Sequence, residues 1–278
     1  MNKNEMTHQE FVGFAQFLER QCGILLSEKK SYLVKSRLMP LIRELDLGDL
    51  SSCLKLVQSH NNKGLRERVI DAMTTNETLW FRDKYPFTIL SQTLLEKFAT
   101  ANRKIRIWSA ACSSGQEPYS IAMLVHEYKQ KNPRAFAGGV EIFGTDISSD
   151  MLSRAKQGSY DVLSIGRGLP DDKKSRYFKT AANNHMQLIP EITSMVSFKP
   201  LNLLDSYASL GKFDVIFCRN VLIYFSPQNK RKILQQIAAC LQNDGALFLG
   251  ASESIADLNQ LFEMVRNNPG LYYTKKSI

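Results

Sequence analysis

The chain has 278 residues, enough for two domains, and its formal net charge is +9 at pH 7. The charge favours an acidic partner, which leaves nucleic acid, an anionic membrane surface and an acidic protein face open. No apolar run approaches a membrane span and the first residues lack a signal-peptide core, so we expect a cytoplasmic protein without direct membrane insertion. Five cysteines and four histidines show no metal-ligand spacing, so we expect reduced thiols and no metal.

Residues 1–73 space their apolar side chains as helices do and predict a small all-α domain of four or five short helices. Inside it, the segment 29–43 is amphipathic and contains no acid, and its bases are Lys29, Lys30, Lys35, Arg37 and Arg43. Pro40 is expected to end or kink this helix. The basic face is either a solvated surface over a core or a docking face for an acidic helix.

After a linker at 74–102, which includes a helix at 86–98, the pattern changes to alternating strands and helices. Strands are predicted at 104–109, 140–145, 195–199, 213–218 and 245–250, and helices near 117–131, 149–156, 227–241 and 254–261. This alternation predicts a doubly wound parallel α/β sheet over 103–278, with an inserted subdomain at 158–200.

The last two strands, at 261–265 and 271–274, flank a turn-rich segment and predict an antiparallel hairpin. A hairpin of this kind at the end of a parallel sheet is typical of a class I methyltransferase, whereas dinucleotide folds usually continue with another crossover helix.

The segment 105–118 predicts a buried strand, a turn of small residues and the start of a helix, and Asp146 ends the next strand. Small side chains let the backbone approach a ligand, and a carboxylate at the neighbouring strand end can accept hydrogen bonds from two ribose hydroxyls. The turn contains one glycine, Gly115, instead of a G-x-G-x-x-G phosphate fingerprint. S-adenosylmethionine, which has no phosphate, is therefore a better candidate than a dinucleotide, and Glu117 could bind its ammonium.

Two structural alternatives stay open for these residues. The sequence from Ser114 to Glu117 also spells a helix capping box, and Asp146 could be a plain helix N-cap. Cys112 and Cys218 near this turn are expected to be buried apolar residues without a chemical role.

Three motifs carry a family resemblance: TTNET at 74–78 leading into Phe81 and Arg82, WSAACSSGQEPYS at 108–120, and FDVIFCRNVLIYF at 213–225. In order and spacing they resemble the CheR family, the chemotaxis-receptor glutamate methyltransferases, over nearly the whole chain. The resemblance implies S-adenosylmethionine as cofactor and S-adenosylhomocysteine as product. It also implies cofactor contacts from Asn76, Thr78, Arg82, Glu117, Asp146, Asn202, Leu203, Arg219 and Asn220.

Three of these positions, Asn202, Asn220 and Arg82, also have a plainer interpretation. The Asn202 amide can hydrogen-bond to the edge of a base and Leu203 can form an apolar wall, but Asn202 could also simply begin a loop. Asn220, with Arg219 at a carboxyl strand end, could cap the next helix. The planar guanidinium of Arg82 can donate hydrogen bonds to a carboxylate, but Arg82 could also be a surface base.

The family reading implies methyl transfer to glutamate side chains of chemoreceptors. A glutamate is already ionised at neutral pH, since its ordinary pKa is about 4.3, so no general base is needed. We expect Arg82 to orient the carboxylate, with Tyr224 as a second catalytic candidate. The acidic face of receptor cytoplasmic helices is expected to dock on Lys29, Lys35, Arg37 and Arg43.

Two rival functions are weighed against this reading. A nucleic-acid methyltransferase would explain the positive charge, but the Asn/Asp-Pro-Pro-Tyr/Phe segment that commonly grips a flipped base is replaced here by the residues 219–224. We therefore expect no nucleic-acid partner. A scaffold that senses S-adenosylmethionine without catalysis would keep the same pocket, and the sequence leaves it open.

Overall fold

The computed structural model describes residues 6–59, 62–255 and 258–276. Within them, the N-terminal part forms the small all-α domain that the sequence predicts. Its helices are α1 (His8–Cys22), α2 (Ser31–Glu44), α3 (Leu50–Gln58) and α4 (Lys63–Met73), with a 3₁₀ helix at Glu28–Lys30. A capping box between Thr7 and Glu10 begins α1, and the apolar faces of the four helices meet in one core around Phe14, Leu38 and Val69.

Pro40 was expected to end or kink α2, and the first alternative is wrong because the helix continues through Pro40 to Glu44. Pro40 has no N–H to donate to the preceding turn. Leu41 and Ile42, just after it, are both buried in the domain core, and this packing stabilises the last turn.

The strands of the rest of the chain alternate with helices. They are β1 (Ile105–Ala110), β2 (Val140–Asp146), β3 (Ser159–Asp161), β4 (Phe178–Thr180), β5 (His185–Leu188), β6 (Val196–Pro200), β7 (Phe213–Cys218), β8 (Leu241–Leu249), β9 (Phe262–Asn267) and β10 (Gly270–Lys275). The helices are α5 (Tyr85–Ile89), α6 (Leu95–Phe98), α7 (Gln116–Lys131), α8 (Ser149–Gln157), α9 (Val162–Gly166), α10 (Asp171–Tyr177), α11 (Pro190–Thr193) and α12 (Pro227–Cys240).

Seven strands form the main sheet in the order β6-β2-β1-β7-β8-β10-β9. The five strands from β6 to β8 are parallel, and β10 is antiparallel to both β8 and β9. All six residues of β7 are buried, as expected for a central strand with helices on both faces. The predicted α/β sheet with its terminal antiparallel hairpin is confirmed.

A second, three-stranded antiparallel sheet of order β3-β5-β4 lies in the predicted insertion. It packs against the linker through Trp80, whose ring contacts Tyr160 and Phe178 edge-on and whose Nε1–H donates to the Ser164 carbonyl at 3.1 Å. The insertion therefore holds the linker in place next to the sheet.

The linker makes a sharp turn and then enters a helical stretch at 85–98. That stretch consists of α5, a π-helical turn at Leu90–Leu94 and α6, as the sequence predicts. Phe81, Asp83 and Lys84 all have φ between 48° and 65°, a left-handed conformation that L residues rarely adopt. Arg82 lies inside this turn.

The helix predicted at 254–261 is wrong for the residues described there, which form turns and irregular backbone, while residues 256 and 257 lie outside the described residues. Ile255 and Leu258 supply the apolar signal because both are buried against the sheet. The predicted β8, by contrast, is longer than expected and begins at Leu241.

Candidate cofactor and active site

One cavity lies at the carboxyl ends of β1, β2 and β7, where the helical domain meets the sheet. It measures about 1250 Å³ out to its open mouth, which is ample for a nucleoside-sized ligand. Every site residue predicted from the sequence lines it: Asn76, Thr78, Arg82, Glu117, Asp146, Asn202, Leu203, Arg219, Asn220 and Tyr224.

The loop after β1 forms the floor of the cavity. Ala111 (φ 58°), Ser113 (φ 49°) and Gly115 (φ 94°) adopt left-handed backbone conformations in alternation, which folds the loop tightly. The Cys112 N–H donates to the Thr145 carbonyl at 2.8 Å, so the loop is tied to β2. Because its side chains are small, a ligand can approach the backbone here.

Asp146 ends β2 and is almost fully buried. One carboxylate oxygen accepts from the Ser113 N–H at 2.7 Å and the other from the Ser148 N–H at 2.9 Å. Burial raises the pKa of Asp146, and the backbone amides oppose that shift. The N-cap of α8 is Ser148, which accepts from the Met151 N–H, so Asp146 is not the cap. Its remaining lone pairs are available to ligand hydroxyls.

Glu117 points toward the ends of the strands and does not cap its own helix. The N-cap of α7 is Gly115, which makes no side-chain capping bond, so the capping-box alternative is wrong. Glu117 instead accepts from the Ser109 hydroxyl at 2.8 Å and from Arg219 Nη1 at 2.8 Å. Part of its charge is thus already neutralised by a guanidinium.

Arg219 follows β7 and its guanidinium is buried. Besides Glu117, it donates through Nη2 to the Arg82 carbonyl and to the Asp83 carboxylate, both at 2.7 Å. The Nε–H is buried without a hydrogen-bond partner among the described residues. A buried donor of this kind is costly unless a ligand accepts from it.

Arg82 and Tyr224 are the two predicted catalytic residues, and both keep donors free. The only hydrogen bond of the Arg82 guanidinium to the described residues is a long one, from Nη1 to the Glu77 carbonyl at 3.3 Å. The Tyr224 carbonyl accepts from the Leu25 N–H at 2.8 Å, and no described residue bonds to the Tyr224 hydroxyl. Both side chains can therefore donate to an incoming anion.

Asn202 begins the loop after β6, in line with its plainer interpretation, whereas Asn220 differs from its own. The Asn202 amide bridges the domains, since Nδ2 donates to the Gln21 carbonyl at 2.6 Å and Oδ1 accepts from the Leu204 N–H at 3.0 Å. Asn220 has φ 56° and caps no helix, because Ser226 is the N-cap of α12. Leu203, which is buried, supplies the apolar wall.

Sequence reasoning missed Glu253. Its carboxylate accepts from three backbone N–H groups, those of Asn220 (2.7 Å), Gly250 (2.7 Å) and Ile223 (3.3 Å), and so fixes the loop that carries Asn220 and Tyr224. A Cβ at Gly250 would lie 2.8 Å from the Asn220 nitrogen, so only glycine permits this approach. No local sequence pattern indicates this contact, because Asn220 and Glu253 lie in loops that follow two different strands, β7 and β8.

Arg37 was assigned to the docking face, but the structure places it in the cavity wall. Its guanidinium donates to the carbonyls of Met73 and Thr74 and to the Thr75 hydroxyl, so it braces the start of the linker. On a helix of 3.6 residues per turn, Arg43 lies about 80° around from Lys35 and Arg37 about 200°. Arg37 therefore faces away from the exposed bases of α2.

The two cysteines that the sequence places near the turn after β1 and at the end of β7 have no chemical role in this geometry. Cys112 and Cys218 are buried and free, and burial raises the pKa of both thiols well above the ordinary range. Neither is therefore a nucleophile near neutral pH.

Together these donors and acceptors fit S-adenosylmethionine. Asp146 can accept from ribose hydroxyls, Leu203 can cover the base, and Glu117 can receive an ammonium. The unpartnered Nε–H of Arg219 can serve the carboxylate of the amino-acid end. The carboxylates of Asp146 and Glu117 would repel a pyrophosphate.

We expect Glu253→Ala to increase amide exchange of Asn220 and Ile223 by about tenfold or more, because both N–H groups lose their acceptor. Hydrogen-exchange mass spectrometry of this loop measures the effect. The control is Glu263→Ala on β9, which removes an exposed carboxylate and should leave exchange of the loop unchanged. Equal protection in both variants would show that Glu253 does not hold the loop.

The family model described as the CheR methyltransferase SAM binding domain matches residues 76–271, and the model of the CheR methyltransferase all-alpha domain matches residues 9–74. The chemotaxis protein methyltransferase of Vibrio parahaemolyticus is 51% identical over 271 residues, covering 98% of both chains. Chemotaxis protein methyltransferase 1 of Pseudomonas aeruginosa is 50% identical, covering 96% of this chain and 98% of that one.

A more distant relative, the chemotaxis protein methyltransferase of Escherichia coli, is 34% identical and covers 93% of this chain and 89% of its own. None of the helices in the described part of the chain is long and apolar enough to cross a membrane. With two family models that together match nearly all of its sequence, this S-adenosylmethionine-binding methyltransferase belongs to the CheR family.

Proposed function

We propose that this protein methylates glutamate side chains on the cytoplasmic helices of chemoreceptors and forms glutamate 5-O-methyl esters. The observation that carries the proposal is the composition of the cavity. It combines three acidic residues, Glu77, Glu117 and Asp146, with guanidinium and phenol donors that are still free, and no histidine lines it among the described residues. Such a site suits an acceptor that arrives already ionised. The names of the relatives, chemotaxis protein methyltransferases, support the same conclusion.

When bound, S-adenosylmethionine supplies a methyl group on a positively charged sulfur. Asp146 and Glu117 would hold its ribose and ammonium, Leu203 its base and Arg219 its carboxylate. The residues of the chain then have to position an anionic oxygen and exclude water from it. No proton has to be removed from the acceptor, because a glutamate is ionised at neutral pH.

Arg82 is suited to steer the acceptor, because its guanidinium lines the cavity and is bound to the protein only weakly. It should engage one carboxylate oxygen and leave the other free, since a clamp on both oxygens would stabilise the ground state and lower the nucleophilicity. The Tyr224 hydroxyl can provide a second, neutral donor.

The function is tested by the chemistry of the product. Full-length protein is incubated with methyl-labelled S-adenosylmethionine and chemoreceptor-bearing membranes, and the protein-bound label is then treated with mild alkali. We expect the label on the receptor to be released as methanol, because esters hydrolyse and N-methyl groups do not. Label that resists alkali contradicts the proposal, and no label at all favours the non-catalytic scaffold. Membranes without receptors are the control.

We expect Arg82→Ala to lower kcat at least about tenfold, equivalent to about 1.4 kcal/mol of transition-state stabilisation, while the dissociation constant for S-adenosylmethionine changes far less. The initial rate of receptor methylation and calorimetry with the cofactor measure the two effects. Arg134→Ala, which removes an exposed guanidinium outside the cavity, is the control. An unchanged kcat would refute the steering role.

The docking part of the proposal now rests on Lys29, Lys35 and Arg43, which are exposed. Lys35 and Arg43 lie on neighbouring sides of α2, and the cavity wall that Arg37 and Leu33 contribute lies on the side of the helix opposite Lys35. These bases can hold an acidic receptor helix against the helical domain by charge attraction.

Charge reversal of Lys35 and Arg43 to Glu should raise KM for receptor membranes by about tenfold at low salt, because attraction becomes repulsion. The difference from wild type should shrink as ionic strength rises, while cofactor affinity stays constant. Reversal of Lys129 and Lys131, exposed bases at the end of α7, changes the net charge equally and is the control. If both pairs behave alike, only overall charge matters and α2 is not the docking face.

A further inference from the structure

Two large apolar side chains stand exposed beside the mouth of the cavity. Leu25 is 52% exposed and lines the cavity, and Ile223 is 49% exposed on the loop after β7. Single exposed apolar residues are ordinary. These two differ because they come from distant parts of the chain and are brought together at one site.

A hydrogen bond fixes their neighbourhood. The Leu25 N–H donates to the carbonyl of Tyr224, which follows Ile223 directly, at 2.8 Å. Gly23 secures the same junction, since a Cβ there would lie 2.3 Å from the Phe225 ring. Leu25 and Ile223 therefore lie on adjoining segments of the two domains, and we call this exposed apolar pair the lip.

A cation accompanies the lip on the same rim. Lys30, at the start of α2, is exposed and lines the cavity, and Leu33 lies one helical turn further along and lines it as well. The rim thus offers apolar surface and a positive charge next to the opening through which an acceptor must enter.

We propose that the lip and Lys30 bind the residues that flank the acceptor glutamate on an amphipathic, acidic helix, and so contribute to substrate recognition. This inference rests on the proposed function. To insert its short side chain, the substrate must lay its backbone on the rim. In a helix, residues three and four positions from the acceptor lie about 5–6 Å from it, within reach of the lip. An apolar residue at one of these positions meets Leu25 or Ile223, and a neighbouring acid meets Lys30.

The lip is tested with full-length variants on receptor membranes at saturating cofactor. We expect the double variant with Leu25→Asp and Ile223→Asp to raise KM for the receptor at least about tenfold, and the double alanine variant about threefold, with kcat within about twofold of wild type. Met264→Asp on β9 removes an apolar side chain of matching exposure, 48%, and should leave KM unchanged. Thermal unfolding and calorimetry with S-adenosylmethionine verify the fold and the cofactor site, and the alanine pair replaces the aspartate pair if the latter unfolds.

A substitution in the receptor completes the test. An apolar receptor residue three or four positions from a methylated glutamate is replaced by Asn. This change should raise KM for the wild-type enzyme. In the lip variant it should raise KM little further, because both changes remove the same contact. If wild-type protein methylates receptors but the double variants keep a normal KM, or lose kcat alone, the lip does not read the substrate and the proposed function stands. If wild-type protein transfers no alkali-labile methyl group, both proposals fail.

Discussion

The architecture of the site depends on one buried guanidinium. Arg219 joins three segments that are far apart in sequence: the end of β7, the start of α7 through Glu117, and the linker turn through Asp83 and the Arg82 carbonyl. A buried charge is tolerated only where opposite charges and hydrogen bonds surround it, so each segment is constrained by the other two. Removing any one carboxylate would leave a positive charge insufficiently compensated.

This constraint explains how the linker turn keeps its conformation. Left-handed backbone at Phe81, Asp83 and Lys84 costs on the order of 1–3 kcal/mol per residue. The cost is offset on one side by Arg219 and on the other by Trp80, which is buried among the aromatic residues of the insertion. The insertion and the sheet therefore share in presenting Arg82 to the cavity.

The sequence allowed the sheet and the cavity to be predicted because both follow from local patterns. Buried apolar runs such as β7 indicate central strands, and the carboxyl ends of parallel strands meet at one edge, which brings Glu117, Asp146 and Arg219 together. The roles of Glu253 and Arg37 could not be predicted in this way. Each depends on a contact between segments whose approach is set by the packing of whole domains. The helix predicted at 254–261 is wrong for a related reason. Ile255 and Leu258 are buried against the sheet, and their spacing of three residues resembles that of a helix face.

The balance of charges in the cavity bears on how the site can promote methyl transfer. Arg219 and Glu117 neutralise each other, and Asp146 is held by backbone amides, so the charged groups that shape the pocket are largely satisfied by the protein. Arg82, at the mouth, is the cavity guanidinium that the described residues hold only weakly. In the proposed reaction, an entering carboxylate would meet a donor that can orient it without binding it strongly in the ground state. In a water-poor site such weak orientation leaves most of the nucleophilicity of the oxygen intact.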